Sequence, residues 1–487
     1  MSSNIIQIAG ENLLEISTRP RSTRVFVNRN LRMDTVKAIG VDMDYTLARY
    51  EQREIEELAY NLTIKKLLAM GYPKGLSKLR YDPDFVIRGL TVDKQSGNVI
   101  KLDRHNHVGR AYHGRKRLRK AERRKLYRNK RVQFQAPRFL SVDTYFSLPE
   151  ICLFADLVEY FEGREDTSRD PWQLYDETRQ CIDEVHRDGS LKDILKKDLT
   201  RYINHDPLLA PTLHKFRSAG KKLFLLTNSH WDFTDAVMTH LLGDSLPEYP
   251  TWRHYFDGIV VAGAKPGFWM RDEPLTRIDD EGHPLDRHVK KFEKGAVYQG
   301  GNVSALEEAI GYNGEEILYI GDHIYGDIVR SKRNAQWRTA LVVEELEQEL
   351  ERSWNSHEDI ERLHVLRQQQ RELDNLCNIQ RQTLSQIAKG LVEVDENQKK
   401  KIRESRNRHK KELKLVVEER DSLERALDKE FNQYWGMVFK QGEENSRFGQ
   451  QVQRYACLYT SRVSNFHRYS NFQYFRSPMD ILPHDSD

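Results

Sequence analysis

Apolar residues in this chain gather into short, uninterrupted runs. VKAIGV at 36–41, KLFLLT at 222–227, GIVVAG at 258–263 and ILYIG at 317–321 are the clearest. Runs that are apolar on both faces suit strands buried within a parallel sheet. Between them, residues 211–219 and 234–242 carry a helix-like pattern. Strands alternating with helices predict βαβ units, and hence an α/β fold with a doubly wound, Rossmann-like parallel sheet. In such sheets ligands bind beyond the C-terminal ends of the strands. Each run here ends in a polar side chain at that end: Asp42, Asn228, Lys265 and Asp322.

The first run is separated from the second by a stretch too long for a loop, so residues 51–205 must carry structure of their own. They read as an inserted cap domain on a core formed by 1–50 and 206–349. Residues 350–431 then turn charged and proline-free. A heptad frame places Leu363, Cys377, Leu384 and Leu391 at one core position and Leu366, Leu373, Ile387 and Val394 at the other. Such a helix needs a partner. With a turn near 395–397 and a second helix through Leu413, Val416, Leu423 and Leu427, a charged helical hairpin or coiled coil is expected. The tail, 432–487, is rich in aromatic rings and is expected to pack on the core or on a partner subunit.

Composition narrows the class. Hydrophobic residues make up 38% of 487 and charged ones 31%, with mean hydropathy −0.75, so a polar, multi-domain protein is expected. No apolar run is long enough to predict a transmembrane helix, and residues 1–24 do not read as a secretory signal. Cys152, Cys181, Cys377 and Cys457 are widely spaced, which suits a reducing, cytoplasmic setting. The net charge of +4 hides a basic run at 115–131, RKRLRKAERRKLYRNKR. It reads as a solvated face or an anion site. Without an aromatic platform or a nucleic-acid motif, nucleic acid is not the expected partner.

The strand ends carry the chemistry. Asp42 and Asp44 follow the first run at i and i+2, an arrangement that is costly in a buried place without a compensating cation. Magnesium suits hard oxygen ligands and a substrate phosphate. An ionised Asp42 could then attack phosphorus, and Asp44 could act as acid and base. Thr227, Asn228 and Ser229 could bind phosphate oxygens, Lys265 could stabilise the transferring group, Asp322 could ligate the metal, and Asp327 could hold Lys265 or a metal-bound water. Each has an ordinary alternative: an acidic turn, a helix cap, a surface lysine. Their order, and the strands before them, make the set specific.

DMDYTLA, LLTNSHWDFTDAVM, AKPGFW and ILYIGDHIYGDIVRSKR together resemble the haloacid dehalogenase (HAD) superfamily, and within it the purine-type, IMP–GMP-preferring cytosolic 5′-nucleotidases. The resemblance runs over residues 35–349 and resumes at 434–485. It implies Mg²⁺-dependent hydrolysis of purine nucleoside 5′-monophosphates through an aspartyl-phosphate, with phosphoryl transfer to a nucleoside as a variant. Asp42, Asp44 and Asp322 match its metal site. Phe146 matches its base-stacking position; Asp143, Arg179, Asp183 and His186 match its purine contacts, and Lys192 lies near the phosphate. Asp143 and Arg187 stand where relatives carry Asn and Tyr. The resemblance further implies a nucleotide effector, met by Lys332 and Arg333, and a homotetramer. The rival readings are a HAD phosphatase of another phosphomonoester, such as a sugar phosphate, and a non-catalytic HAD-like scaffold that binds RNA or protein.

Overall fold

The computed structural model describes residues 20–128, 132, 134, 137–162, 169–287 and 289–478. The N-terminal segment read for a signal, the end of the basic run and the last residues of the tail lie outside these. The chain divides into two compact units, Met1–Glu347 with Val438–Asp487, and Gln348–Met437.

The first unit is built on a ten-stranded sheet. At its centre Ile317–Gly321, Ala38–Val41 and Lys222–Leu226 lie side by side and parallel. Their register pairs Val41 with Leu225 on one side and Ile320 on the other, so all three strands end at the same level. The Asp42 amide donates to the Ile320 carbonyl at 2.9 Å, which carries the ladder one residue further. Gly258–Val261 and Val297–Gly300 extend the sheet in parallel, and Leu275–Ile278 and Pro284–Arg287 continue it antiparallel. On the far side Arg338–Val342 is followed by Leu458–Thr460, a parallel strand supplied by the aromatic tail. The two predicted helices run Leu209–Ser218 and Trp231–Leu242.

The core beneath one face joins Phe224, Tyr319, Trp269 and Trp337 with aliphatic neighbours. Gly40 is required there. A Cβ at this position would lie 2.2 Å from the Phe224 ring and 2.8 Å from that of Tyr319. Two rings from flanking strands therefore close over the glycine.

Residues between the first two central strands form a second sheet. It is antiparallel, in the order Lys116–Arg117, Val108–His113, Asn98–Leu102, Leu90–Asp93, Phe139–Ser141. The helices Gln52–Ala69, Leu148–Phe161 and Pro171–Arg187 pack on one another. The basic run is not uniformly a solvated face. Arg115 turns inward, 2.6 Å from Asp156, with its guanidinium over the Phe85 ring. The following residues form a helix, Lys120–Tyr127, whose two lysines and Arg124 are exposed while Arg123 is half-buried.

The second unit contains two long helices, His357–Ala388 and Glu396–Phe431. Arg367, Gln370 and Gln380 of the first bond to Glu424, Arg420 and Ser405 of the second, so the pair is antiparallel. Leu363, Leu427 and Phe431 form its apolar end. The heptad frame stops early: the first helix ends at Ala388, and Leu391 is 70% exposed. Gly390, with φ +68°, turns the chain there, ahead of the expected 395–397. Asp395 instead caps the second helix, accepting from the Gln398 amide.

Gly40→Ala is expected to cost about 1–3 kcal/mol through overpacking. Urea unfolding reads this as a lower midpoint at unchanged slope. An unchanged midpoint would mean that the Phe224 and Tyr319 rings step aside freely.

Candidate active site

The three aligned strand ends bring Asp42, Thr227 and Asp322 together. The loop after Gly258–Val261 brings Lys265 beneath them. Lys265 Nζ lies 3.0 Å from Asp42 Oδ2 and 2.8 Å from Asp327 Oδ1, and donates to the Tyr319 hydroxyl at 2.9 Å. The Tyr319 hydroxyl in turn donates to the Leu226 carbonyl at 3.1 Å. Lys265 is thus a buried cation between two buried carboxylates. Burial opposes its charge, but Asp327 and Asp42 outweigh that and hold it protonated, well above the usual lysine range.

Negative charge exceeds this one lysine. Oxygens of Asp42, Asp322 and Asp327 all lie within 4.8 Å of one another. Burial pushes the Asp42 carboxyl up to about 7, against the pull of Lys265 and with help from Asp327 and Asp44. Burial likewise raises Asp322 well above the carboxylate range. Asp322 Oδ2 is buried with no hydrogen-bond partner. A hard divalent cation would satisfy that oxygen and supply the missing positive charge, and three carboxylates fit magnesium.

Asp44, expected among the ligands, has its carboxylate elsewhere. It accepts from Tyr50 at 2.5 Å and from Ser229 at 2.8 Å, so each oxygen is held by a hydroxyl. The third carboxylate of the cluster is Asp327, four residues beyond His323 on the turn that follows Asp322. Asn228 also departs from expectation. Its amide donates to the Lys265 carbonyl at 2.9 Å and accepts from the Lys265 amide at 2.6 Å. It fixes the lysine loop, where phosphate binding was expected. Thr227 is fully buried, and its oxygen accepts from the Ser229 amide at 3.1 Å. Lys192 reaches Ser229 Oγ at 3.4 Å, which places an ammonium group at the rim of this cluster.

The turn after Asp44 carries Tyr45 at φ +55°, a left-handed conformation that costs an ordinary residue about 1–3 kcal/mol. Packing holds it: Tyr45 stacks on Tyr145 at 4.6 Å and meets Phe146 edge-on at 4.9 Å. Phe146 in turn meets the His186 ring edge-on at 5.3 Å. Burial, reinforced by Lys192, lowers His186 to about 4, so the ring is neutral, and its Nε2 is buried without a partner. On the same helix Arg179 bonds Glu150 at 2.8 Å and Asp183 at 3.2 Å. A cavity of ≈ 330 Å³ opens here, lined by Asp183, His186, Arg187, Lys192, Asn228 and His230 among others.

Two groups of expected residues fall outside this assembly. Asp143 does not join the Phe146–His186 group. Burial raises its carboxyl, its Oδ1 has no partner, and the charges that bear on it are His323, Arg447 and Arg88. Lys332 points to the tail, 3.3 Å from the Tyr455 carbonyl and 3.7 Å from Cys457 Sγ, and Arg333 donates to the Tyr455 hydroxyl at 3.2 Å. His323 is a structural neighbour: its Nδ1 accepts from the Tyr325 and Gly326 amides. Sequence reasoning missed Tyr50, Tyr319 and Arg88. Tyr50 lies six residues beyond Asp44, close enough to have been suspected, whereas Tyr319 was hidden in an apolar run.

Residues 25–487 match the model of the 5′ nucleotidase family. A Dictyostelium discoideum 5′-nucleotidase domain-containing protein is 31% identical over 95% of this chain and 74% of its own length. The Homo sapiens 5′-nucleotidase domain-containing protein 2 is 28% identical over 92% of this chain and 82% of its own length. Among solved structures, Rhodobacter sphaeroides CbbY in complex with phosphate aligns over 63% of this chain and 86% of its own, at 14% identity and a TM-score of 0.24. So low a score carries no argument about fold or chemistry.

Glu56, packed near Tyr45, gives a pH signature outside the carboxylate cluster. Burial raises its carboxyl to about 8, while the Tyr81 hydroxyl, which donates to it, pulls the other way. The folded state therefore holds a proton that the unfolded state releases near 4.5. The stability this contributes is complete below about 4.5 and is lost as pH rises towards about 8. Glu56→Gln, which cannot ionise, is expected to flatten that slope in unfolding measured from pH 5 to 8. The same slope in the variant would show that Glu56 titrates normally.

Proposed function

The chain belongs to the 5′ nucleotidase family and is a phosphoric monoester hydrolase, and from this we propose a magnesium-dependent 5′-nucleotidase of the HAD type that prefers the purine nucleotides IMP and GMP. The observation that carries the reading is the buried Asp42–Lys265–Asp327 core with Asp322 beside it. A cavity lined by Asp183 and His186 opens next to it.

In this mechanism Asp42 attacks phosphorus, its Oδ–P bond forms, and the P–O5′ bond breaks. Asp44 gives its proton to the leaving ribose oxygen. Water then attacks the aspartyl-phosphate, its proton passes to Asp44, and Asp42 is released with inorganic phosphate. Tyr50 and Ser229 aim the two Asp44 oxygens for both proton transfers. Lys265 holds Asp42 in place and meets charge developing on the phosphoryl oxygens. A magnesium ion held by Asp42, Asp322 and Asp327 would neutralise substrate phosphate as the reaction begins. On this reading Thr227, Ser229 and Lys192 are donors to that phosphate, with Lys192 reaching Ser229 at the rim of the cluster.

Base choice follows from hydrogen-bonding capacity. Hypoxanthine and guanine carry a donor at N1, whereas adenine offers an acceptor. Asp183 accepts only, and Arg179 fixes its orientation. A neutral His186 adds one donor and one acceptor, and Phe146 offers a ring to the base. The inserted residues 51–205 act here as the cap that selects the substrate. A nucleoside occupying the cavity after release could take the phosphoryl group in place of water. That is the phosphotransferase variant of the same chemistry.

A panel of nucleoside 5′-monophosphates, assayed for phosphate release with and without magnesium and with inosine as acceptor, tests the proposal. IMP and GMP are expected to lead AMP and the pyrimidine nucleotides, and chelation is expected to abolish turnover. Equal rates across all bases, or turnover that survives chelation, would contradict it.

Phe146→Ala and Asp183→Ala test the purine reading separately. Stacking on an aromatic ring is worth about 1–3 kcal/mol per base, so Phe146→Ala is expected to lose roughly tenfold or more in kcat/KM for IMP. Loss on a small aryl phosphate should be much less. Equal losses on both substrates would make these residues supports of the fold and not readers of the base.

A further inference from the structure

Arg88 stands apart from every motif in the chain, yet its side chain is completely buried. It precedes the Leu90–Asp93 strand of the inserted segment, more than two hundred residues before the strand end it reaches. Its Nη1 donates to the Asp322 backbone carbonyl at 2.9 Å, and the same nitrogen lies 3.8 Å from Asp322 Oδ2. Nε and Nη2 form a two-pronged pair with Glu345, at 2.8 and 2.6 Å. Nη2 also donates to the Tyr145 hydroxyl at 3.0 Å, and the guanidinium lies 4.0 Å over the Tyr145 ring. Tyr145 itself donates to Glu345.

A buried guanidinium with its donors so fully engaged is a rigid object. Its planar fork fits Glu345 on one edge and the end of the Ile317–Gly321 strand on another, geometry that a lysine cannot reproduce. Glu345, despite its burial, is held below the usual carboxylate range by Arg88, and so remains an anchor. Asp322 has no hydrogen-bond donor on its Oδ2. Beyond the long ion pair with Arg88, what fixes the direction of its carboxylate is the backbone, and Arg88 holds that as well.

We propose that Arg88 is a positioning residue for the metal site: by gripping the Asp322 carbonyl from the Glu345–Tyr145 platform, it holds the Asp322 carboxylate where it meets Asp42 and Asp327. The inference rests on the reading that these three carboxylates bind magnesium. The same grip joins the strand end to Tyr145, the neighbour of the base-facing Phe146, so the metal site and the substrate pocket share one support. Groups that orient metal ligands typically change affinity by about 10–100-fold when replaced.

Charge and position act in opposite directions here, and the choice of variant separates them. Removing a nearby cation would by charge alone draw a divalent ion more strongly. Arg88→Lys keeps the charge and loses the fork. Calorimetric titration of the full-length protein with Mg²⁺, without nucleotide, reads the ligand site directly. Arg88→Lys is expected to weaken Mg²⁺ binding about tenfold or more. At saturating Mg²⁺, kcat for IMP should fall with KM changed less than threefold. Tyr145→Phe, which keeps the stacked ring and removes only the bridging hydroxyl, is expected to show a smaller loss in the same direction, and it serves if Arg88→Lys does not fold. Mg²⁺ affinity within twofold of the native protein, in the folded variants, would overturn the role assigned to Arg88. Absence of Mg²⁺ binding in the native protein would overturn the metal reading itself, and this inference with it.

Discussion

The structure turns on one buried lysine. Lys265 sits between Asp42 and Asp327, out of water, in a place where an unpaired carboxylate would be expensive. Removing either partner of such a pair leaves an uncompensated charge and typically costs about 3–5 kcal/mol. The surroundings are arranged to keep the lysine in that position. Tyr319 accepts one of its protons from the neighbouring strand, and the Asn228 amide clasps its backbone on both sides. Yet one lysine cannot balance Asp42, Asp322 and Asp327 together. The remaining negative charge is what, on the proposed reading, a divalent cation and the phosphate arriving with it would offset.

The site draws on distant parts of the chain because a parallel sheet ends all its central strands at one level. Val41, Leu226 and Gly321 stop side by side, so the residues after them meet without any long excursion. The inserted segment contributes differently. Its Tyr145 and Phe146 rings pack against Tyr45, the residue after Asp44, and His186 packs on Phe146, so the inserted segment is tied to the turn that carries Asp44. A strained backbone at Tyr45 is tolerated because three aromatic neighbours, Tyr50, Tyr145 and Phe146, pack against it.

Much of this was legible in the sequence where the signal is local. Apolar runs ending in Asp42, Thr227 and Asp322 announce buried parallel strands, because they are apolar on both faces and too short for a buried helix. The contact of Lys265 with Asp327 was one of two roles the motifs left open for that aspartate. Other features were not legible. Asp44 and Asp42 have the same side chain and are two residues apart, and only the turn decides which of them joins Asp322 and Asp327. Nothing near Asn228 shows that it bonds backbone and not phosphate. Arg88 is one arginine among many, and its partners Glu345 and Tyr145 are distant in sequence. The heptad pattern continued past Ala388 on paper, but Gly390 ends the helix first.

The claim on which the account rests is that phosphate passes through Asp42. Acid quenching during turnover of 5′-³²P-labelled IMP, followed by proteolysis and mass spectrometry, asks this directly. The account predicts a labelled acyl-phosphate on the peptide that contains Asp42, lost on treatment with hydroxylamine and absent in Asp42→Asn. Turnover that proceeds with no label on that peptide, or a folded Asp42→Asn protein that still releases phosphate at the native rate, would contradict it.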